Sequence, residues 1–349
     1  MAIKSIEISN FTAFDHIKCD FSPGVNLFIG ENGTGKTHLL KILYAITNTY
    51  KYKKIFTGAN TFNGNPVTVS TNFDHVILPM FFAPVDGLMV NLVRNQASEY
   101  ESARVEVETS SEVITAYVAS MGFCTAVNPS DINGRIFEHE ALFIPAKDML
   151  AHSGLETDYS KRELPFDKTQ INILNDLKVS RLREHSESTK ILVKKIADIV
   201  GGKVVYKNGG YFIDKVNGQV NISLEAEGYK KLAVLYRALD TGYLQQGSIL
   251  FWDEPEANLN PTLIPVVVDI LMELARNGVQ LFLASHDYNL MKYFSIKKQT
   301  TDQVLFHGFY KNDDSSIACD SQPDYSLLAH NPIVEANIRL LEDKYNGEL

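Results

Sequence analysis

Cysteine and tryptophan are scarce in this chain of 349 residues, which has three cysteines and one tryptophan. Cys19, Cys124 and Cys319 are widely spaced and odd in number. This pattern argues against a disulfide framework or a cysteine-rich zinc site, and it indicates reduced thiols. We therefore expect an intracellular, cytoplasmic protein.

Long apolar runs are also missing. The nearest candidate, residues 263–275, contains Asp269 and Glu273 and is typical of a packed helix, not of a membrane span. Residues 1–11 alternate like a strand, so no signal peptide is expected. The sequence predicts no membrane partner.

Positive charge is in deficit, because 33 Lys and Arg residues stand against 42 Asp and Glu residues, for a net charge of −9. Such a balance argues against sequence-independent nucleic-acid binding by the whole surface. Basic clusters at residues 50–54 and 178–195 are better explained as solvated faces. Nucleic acid therefore stays a possible partner that the charge does not indicate.

A glycine-rich segment, Gly30 to Thr37, fits the phosphate-loop pattern G-x-x-x-x-G-K-[ST] at every required position. It lies between a predicted buried strand, 25–29, and a helix with apolar residues at helical spacing. Glycine permits positive φ angles and close approach of an anion, and the helix N-terminus attracts phosphate. Lys36 is predicted to reach the β- and γ-phosphates, and the Thr37 hydroxyl to hold Mg²⁺. The predicted nucleotide-binding residues are Gly30, Glu31, Asn32, Gly33, Thr34, Gly35, Lys36 and Thr37.

A second segment, 249–252, is apolar without alternation, which predicts a strand buried on both faces of a parallel sheet. It ends in Asp253 and Glu254, at the edge where open α/β sheets bind ligands. Asp253 suits a contact to Mg²⁺, and Glu254 suits the base that activates water. A third apolar strand, 279–284, ends before His286, which at this edge suits a γ-phosphate sensor. The predicted catalytic residues are Glu254 and His286, and the predicted metal-binding residues are Thr37 and Asp253.

These segments resemble the ABC-type ATPase heads of the SMC, RecF and OLD proteins, and look closest to short bacterial AAA family ATPases. The first strand ends in the Asn10-Phe11 pair of such heads. Residues 255–261 resemble their D-loop, and residues 285–287 resemble their switch-histidine segment. The resemblance implies an α/β fold: a P-loop NTPase head of the ABC type with a flanking antiparallel β-subdomain and a short helical insertion. It also implies ATP and Mg²⁺ as cofactors.

The segment that matches the ABC signature L-S-G-G-Q departs from it. Gly228 fits, but Glu227 stands where Ser is usual and Tyr229 where the second Gly is usual. A carboxylate facing a γ-phosphate would repel it unless Lys230 or Lys231 intervenes. The resemblance assigns contacts with a nucleotide bound in a partner subunit to Gly228, Lys230 and, in the D-loop, Asn258.

Two further departures concern single positions. Many such heads carry Arg after the Asn-Phe pair, whereas this chain has Thr12, so we expect that arginine contact to be missing. No Gln follows the predicted strand 141–145, where a Q-loop would begin.

We divide the chain into three parts. Residues 1–150 are predicted as the N-terminal half of the head, with the β-subdomain at about 60–140. Residues 151–202 are the helical insertion, a lid in place of a coiled coil. Residues 203–349 are the C-terminal half with the signature-like segment, the Walker B strand and the switch histidine. In detail, 51–65 is predicted to be a loop, 66–120 to be antiparallel strands and 203–224 to be a hairpin.

The leading hypothesis is an ATPase that acts as a switch, forming a homodimer or higher homo-oligomer through sandwiched ATP. Heads of this kind resemble stand-alone ATPase subunits of bacterial anti-phage systems such as PARIS and Septu. That resemblance implies a sensing or regulating subunit with a separate effector, a nuclease or toxin. Two alternatives stay open: a RecF-like ATPase of DNA repair or maintenance, and a non-enzymatic scaffold that ATP holds together.

Overall fold

The computed structural model describes residues 2–51, 59–62, 65–68, 73–82, 89–94, 102–111, 113–119, 124–127, 140–159, 162 and 164–347. Its strands are β1 (Ile3–Phe11), β2 (Phe14–Asp20), β3 (Val25–Gly30), β4 (Ala59–Phe62), β5 (Asn65–Thr68), β6 (Ser102–Thr109), β7 (Val113–Ala119), β8 (Cys124–Val127), β9 (Ala141–Ile144), β10 (Gly202–Lys207), β11 (Gly210–Lys215), β12 (Gly218–Asn221), β13 (Ile249–Asp253), β14 (Gln280–Ser285), β15 (Val304–Lys311) and β16 (Ile317–Gln322). Its α-helices are α1 (Lys36–Lys51), α2 (Phe73–Phe81), α3 (Leu155–Tyr159), α4 (Lys168–Asp176), α5 (Glu187–Val200), α6 (Glu227–Asp240), α7 (Ile264–Arg276), α8 (Tyr288–Lys297) and α9 (Pro332–Asn346).

The central sheet has the strand order β16-β15-β3-β14-β13-β9. All its pairs are parallel except that of β16 with β15. Strands β3 and β14 are buried along their whole length, as their mainly apolar sequences predict. Because the carboxyl ends of parallel strands meet at one edge, the segments that follow β3, β13 and β14 come together there.

A second sheet is antiparallel, with the order β2-β1-β6-β7-β8. Residues in β6 and β7 alternate between buried and more exposed positions, so this sheet presents one face to the core. Helix α1 lies between the two sheets, and its apolar residues from Leu39 to Ile46 share a core with the second sheet and with Phe28, Phe251 and Phe282 of the central sheet. The predicted fold class, a P-loop head with a flanking antiparallel subdomain, is confirmed.

The other face of the central sheet is covered by α5, α6, α7 and α8, which share a second core with Leu250 and Trp252. Helix α5 is capped by Ser186 before its first residue and by Gly201, with a φ angle of +80°, after its last residue. Its buried side chains are Leu192, Ile196 and Val200. The helical insertion is thus packed into the body of the protein. Strands β10 and β11 form the predicted hairpin.

Two local predictions were wrong. The stretch predicted to be a loop contains β4 and part of β5, which pair antiparallel. The stretch predicted to be all strands contains α2, whose sequence is almost wholly apolar and includes Pro79. Among the described residues, no helix combines the length and apolarity needed to cross a bilayer.

Candidate nucleotide site

The loop between β3 and α1 is shaped by glycines. Gly33 and Gly35 have φ angles of +78° and +84°, which L side chains rarely adopt. A Cβ atom on Gly35 would also lie 2.5 Å from Cζ of Phe14, and one on Gly30 would overlap the carbonyl oxygen of Phe309. Strands β2 and β15 therefore press on the two ends of the loop, and only glycine fits at both ends.

The Lys36 side chain turns back onto this loop. Its Nζ donates to the carbonyl oxygens of Gly30 and Glu31, both at 2.7 Å, and lies 3.4 Å from Thr34 Oγ1. Burial lowers the pKa of Lys36, and the charge of Asp253 is the strongest influence opposing that shift. Because α1 also begins at Lys36, a side-chain cation and the positive end of a helix dipole lie together, as anion binding requires.

Thr37 and Asp253 meet across the sheet edge. Thr37 Oγ1 donates to Asp253 Oδ2 at 3.0 Å and lies 3.1 Å from Oδ1. Burial raises the pKa of Asp253 to about 6, although the Thr37 hydroxyl opposes that change. A buried carboxylate with so high a pKa is poorly stabilised by the protein alone, and a hydroxyl beside a carboxylate offers the hard oxygen ligands that Mg²⁺ prefers. The two residues therefore fit a Mg²⁺ site.

Glu254 is held in an unusual backbone conformation beside His286. Its φ angle is +50°, and its N–H donates to the carbonyl oxygen of Ala284 at 2.9 Å. A non-glycine residue in this region costs of order 1–3 kcal/mol and is found most often at functional sites. His286 Nδ1 lies 3.4 Å from Glu254 Oε1, and both side chains stay partly open to solvent. The pair suits proton transfer to and from water at the sheet edge.

Lys231 is a residue of this site that the sequence did not assign. It lies on α6, is 4% exposed, and donates from Nζ to the carbonyl oxygen of Glu254 at 2.6 Å. Burial lowers its pKa to about 8, with the charges of Glu256 and Glu254 opposing the shift. Lys231 thus fixes the backbone of the predicted catalytic base. The contact joins residues 23 positions apart on a helix and a loop, so periodicity could not reveal it.

Glu256 ties the segment after β13 to the segment after β14. Its Oε1 accepts from Ser285 Oγ at 2.8 Å and from the His286 N–H at 3.2 Å. Burial raises the pKa of Glu256, and within the described residues its Oε2 is buried without a hydrogen-bond partner. The backbone of His286 is therefore positioned by a buried carboxylate from the neighbouring loop, which no sequence pattern indicated.

One cavity of about 240 Å³ brings most of the predicted site residues together. It is lined by Ala13, Asn32, Gly33, Thr34, Gly35, Lys36, Thr37, His38, Asp253, Glu254, Ala284, Ser285 and His286. Of the eight predicted loop residues, Gly30 and Glu31 lie outside this lining. The phosphate loop, the acidic pair and the switch histidine thus face a single volume.

Gly228, Lys230 and Asn258 do not line this cavity. Gly228 is buried at the start of α6, where an added Cβ would lie 3.2 Å from Leu259. Lys230 Nζ pairs with Glu227 Oε1 at 2.6 Å, so the unusual carboxylate of the signature-like segment is neutralised by its own helix. Asn258 has a φ angle of +60°.

An arginine does reach the turn that carries Thr12, and it comes from elsewhere in the chain. Arg94 Nη1 donates to the carbonyl oxygen of Ala13, and its Nε donates to Asp15 Oδ1, both at 2.7 Å. Ala13 lines the cavity. Arg94 is not among the residues that line the cavity, so it holds this turn in place, and the expectation that the arginine contact after the Asn-Phe pair is missing stays a prediction.

A second lysine stands beside the phosphate loop. Phe309 of β15 is in register with Gly30 of β3, so the next residues of β15 run past the sheet edge. Lys311 Nζ accordingly lies 4.0 Å from the place that a Cβ on Gly33 would take. This contact depends on the register of β15 with β3, so no local sequence pattern indicated it.

Comparison with known proteins gives one family match that covers more than half of the chain. Residues 1–211 match the family described as AAA ATPase domain. Among curated proteins, the chain is similar to the DNA replication and repair protein RecF of Lactococcus lactis subsp. lactis, with 36% identity over 53 residues, and to that of Streptococcus pyogenes serotype M1, with 38% over 53 residues. These matches span 15% of this chain and 14–15% of the relatives' own length.

Solved structures agree on the fold. The SMC head domain from Thermotoga maritima superposes with a TM-score of 0.50 at 16% identity, covering 92% of this chain and 99% of that one. An SMC head bound to the C-terminal winged-helix domain of ScpA gives 0.54 at 15% identity, covering 92% and 98%. A Pyrococcus furiosus SMC head with an extended coiled coil, bound to the C-terminal domain of ScpA, gives 0.53 at 13% identity and 99% coverage of both chains.

Proposed function

Because this chain belongs to the AAA ATPase domain family, we propose that it binds and hydrolyses ATP as a nucleotide-controlled switch of the SMC and RecF kind. One observation carries the proposal: a single cavity is lined by the phosphate loop from Asn32 to Thr37, by Asp253 and Glu254, and by His286. Phosphate-binding groups, metal ligands and a general base are the parts that triphosphate hydrolysis needs.

Binding would use groups that are already placed. The N–H groups of the loop and the Lys36 ammonium hold the β- and γ-phosphates. Thr37 and Asp253 hold a Mg²⁺ ion, which when bound neutralises developing charge on the phosphate oxygens. Lys311, beside Gly33, adds positive charge at the outer side of the loop. Arg94 keeps in place the turn that contains Ala13, which lines the cavity.

Hydrolysis would use the residues at the ends of β13 and β14. Glu254 accepts the proton of the attacking water, since its carboxylate borders the cavity and its backbone is fixed from both sides by Ala284 and Lys231. His286 stands 3.4 Å from that carboxylate and orients it or the water. Glu256 holds the His286 backbone in place.

The variant Glu254→Gln tests this assignment. It keeps the shape of the side chain and removes the base, so we expect Mg²⁺-ATP binding within about threefold of wild type and phosphate release reduced by about 10²-fold or more. Glu187→Gln is the matched control, because Glu187 is an exposed carboxylate that pairs with the exposed Lys190. If Glu254→Gln hydrolyses ATP as fast as the control, Glu254 is not the base.

We propose further that ATP is shared between two copies of the chain, with Gly228, Lys230 and Asn258 of one copy facing the nucleotide of the other. The SMC-head fold and the exposed position of Asn258 support this. Size-exclusion chromatography of Glu254→Gln should give a dimer or larger with Mg²⁺-ATP and a smaller species with ADP. A species unchanged by nucleotide would contradict the sandwich.

The switch would act on a separate protein in the cytoplasm. Two SMC heads of this fold are solved with a bound partner, ScpA. The resemblance to ATPase subunits of anti-phage systems makes a nuclease or toxin on another chain the proposed partner, with this chain sensing or regulating it. Co-purification of a partner whose release depends on ATP hydrolysis would support this role, and an unchanged complex in Glu254→Gln would count against it.

The RecF similarity over 53 residues favours a second candidate, an ATPase of DNA repair or maintenance. Stimulation of ATP turnover by duplex DNA, lost when Lys190, Lys194 and Lys195 are changed together to Gln, would favour it over the effector role. The altered signature segment favours the third candidate, a scaffold. Tight ATP binding with turnover near zero in the wild type would establish that reading.

A further inference from the structure

Two of the three cysteines lie side by side, far from each other in sequence. Cys19 belongs to the buried face of β2, together with Phe14 and Ile17, and is 1% exposed. This face lies over the antiparallel end of the central sheet, where Phe14 meets Phe309 of β15 with 6.3 Å between ring centroids. Cys319 lies on β16, in register with Phe309, and is half-buried. Strands β2 and β16 are in contact, Cys319 packs against the apolar cluster that contains Cys19, and each thiol is the largest influence on the pKa of the other.

Polar side chains connect to the pair on the Cys319 side. Cys319 Sγ lies 3.8 Å from Ser321 Oγ, and Ser321 Oγ lies 2.7 Å from Nδ1 of the fully buried His307. The other ring nitrogen of His307 lies 3.3 Å from Asn26 Oδ1. A chain of sulfur, hydroxyl and imidazole thus leads away from Cys319, whereas Cys19 lies among apolar side chains.

These surroundings shift the pKa values of the two thiols in opposite directions. The hydrogen bond from Cys19 is the largest influence on Cys319 and, together with His307, lowers the pKa of Cys319 to about 6. The same contact and burial raise the pKa of Cys19. Among the described residues, the charge of Asp20 also raises the pKa of Cys19, and Asp320 follows Cys319 in the sequence. Cys319 is therefore the thiol of the pair that loses its proton more easily, and Cys19 is the one that keeps it.

We propose that Cys19 and Cys319 form an oxidisable dithiol, whose disulfide joins the antiparallel subdomain to the central sheet. The oxidant is a hydroperoxide. The Cys319 thiolate attacks one peroxide oxygen, the S–O bond forms as the O–O bond breaks, and the leaving oxygen takes a proton and departs as water or an alcohol. Cys319 is now a sulfenic acid. Cys19 attacks its sulfur, the S–S bond forms, and hydroxide leaves with the Cys19 proton as water.

The link would connect the two structural supports of the phosphate loop. Strand β2 presses on Gly35 through Phe14, and β15, the neighbour of β16, presses on Gly30 through the Phe309 backbone. A disulfide between β2 and β16 fixes these supports relative to each other. It would also constrain the unfolded chain over most of its length.

The test uses the full chain, purified reduced and treated with hydrogen peroxide at pH 7.5, then alkylated, digested and examined by mass spectrometry. We expect a peptide pair joined through Cys19 and Cys319, two hydrogen atoms lighter than the reduced pair, and restored by dithiothreitol. Cys19→Ser should stop at a sulfenic acid on Cys319 that dimedone traps. In Cys319→Ser, Cys19 should be oxidised more slowly than Cys319 is in the wild type, by on the order of tenfold or more.

A second measurement covers the physical effect and the pH dependence. Oxidation should raise the midpoint of thermal unfolding of wild type and leave that of Cys319→Ser unchanged. The rate of disulfide formation should rise with pH up to about 6 and level off above it, because the attacking group is the Cys319 thiolate. Absence of the joined peptide, pairing of either cysteine with Cys124, or an equal reaction rate for Cys19 and Cys319 would each overturn the proposal.

Discussion

A substitution at Lys231 is expected to change ATP turnover much more than it changes the stability of the fold. We predict that Lys231→Met lowers ATP turnover strongly and leaves the fold almost as stable as before. The side chain is 4% exposed, and its Nζ donates to the Glu254 carbonyl oxygen at 2.6 Å. A hydrogen bond from a charged donor contributes about 1.5–3 kcal/mol.

Burial of the charge opposes that contribution. A pKa lowered from 10.5 to about 8 corresponds to a cost of about 3 kcal/mol for keeping Lys231 protonated at neutral pH. Methionine removes both effects and keeps most of the volume, so the free energy of unfolding should change by no more than about 1 kcal/mol. By linkage, the wild type should gain stability as pH rises from about 8 towards 10.5, where the unfolded chain still holds the proton, and the variant should lack this gain.

Catalysis has no such compensation. Without the ammonium group, the Glu254 backbone at φ +50° is held from one side only, and its carboxylate is less often aligned. We expect phosphate release to fall by about 10- to 100-fold, which corresponds to about 1.4–2.7 kcal/mol in the barrier. Mg²⁺-ATP affinity should stay within about threefold, and Lys190→Met, on the exposed face of α5, is the control for loss of a lysine. Wild-type turnover in Lys231→Met would refute the positioning role, and loss of folding would refute the balance of energies.

Three other variants test separate parts of the site. Asp253→Asn should raise the free energy of unfolding of the nucleotide-free protein at pH 7 by roughly 1–3 kcal/mol, measured by urea unfolding. The reason is that the raised pKa of Asp253, about 6, makes its ionised carboxylate destabilise the folded state, an effect that is absent at low pH and complete above pH 6. Equal stability of the two proteins at pH 7 would contradict this. Gly35→Ala should lower the free energy of unfolding by about 2 kcal/mol or more and abolish ATP binding, because it adds a clash with Phe14 to an unfavourable φ angle. Gly209→Ala is the control for the φ angle alone, because Gly209 has a φ of +79° and no atom within 4 Å of an added Cβ. An equal loss of stability in the two variants would show that the clash is absent. His286→Ala should lower kcat by about tenfold with little change in KM for ATP, and a change in KM alone would assign His286 to binding instead.

The sequence predicted those parts of the site that local chemistry dictates. A loop that contains Gly33 and Gly35 and is followed by a lysine at the start of a helix is typical of a phosphate-binding loop. An apolar strand that ends in Asp253 and Glu254 places both carboxylates at the edge of the sheet. The fold class followed from the same segments.

Contacts made by tertiary packing were not predictable in this way. Lys231, Glu256, Arg94 and Lys311 belong to the site because α6, the loop after β13, the segment before β6 and the end of β15 meet there. Each is a charged residue of a type that is common on protein surfaces, so its own segment does not mark it as part of a site. Helix α2 was missed for a local reason, since an almost wholly apolar stretch with Pro79 carries no helical periodicity.

A double-mutant cycle on Mg²⁺-ATP affinity, measured by titration calorimetry, tests most directly whether the phosphate loop and the acidic pair serve one metal-bound triphosphate. The four proteins are wild type, Thr37→Val, Asp253→Asn and the double variant. The account predicts that each single change weakens binding and that the double change weakens it little more than either one, because both residues hold the same ion. Losses that add in the double variant, or affinities that do not depend on Mg²⁺ in the wild type, would contradict it.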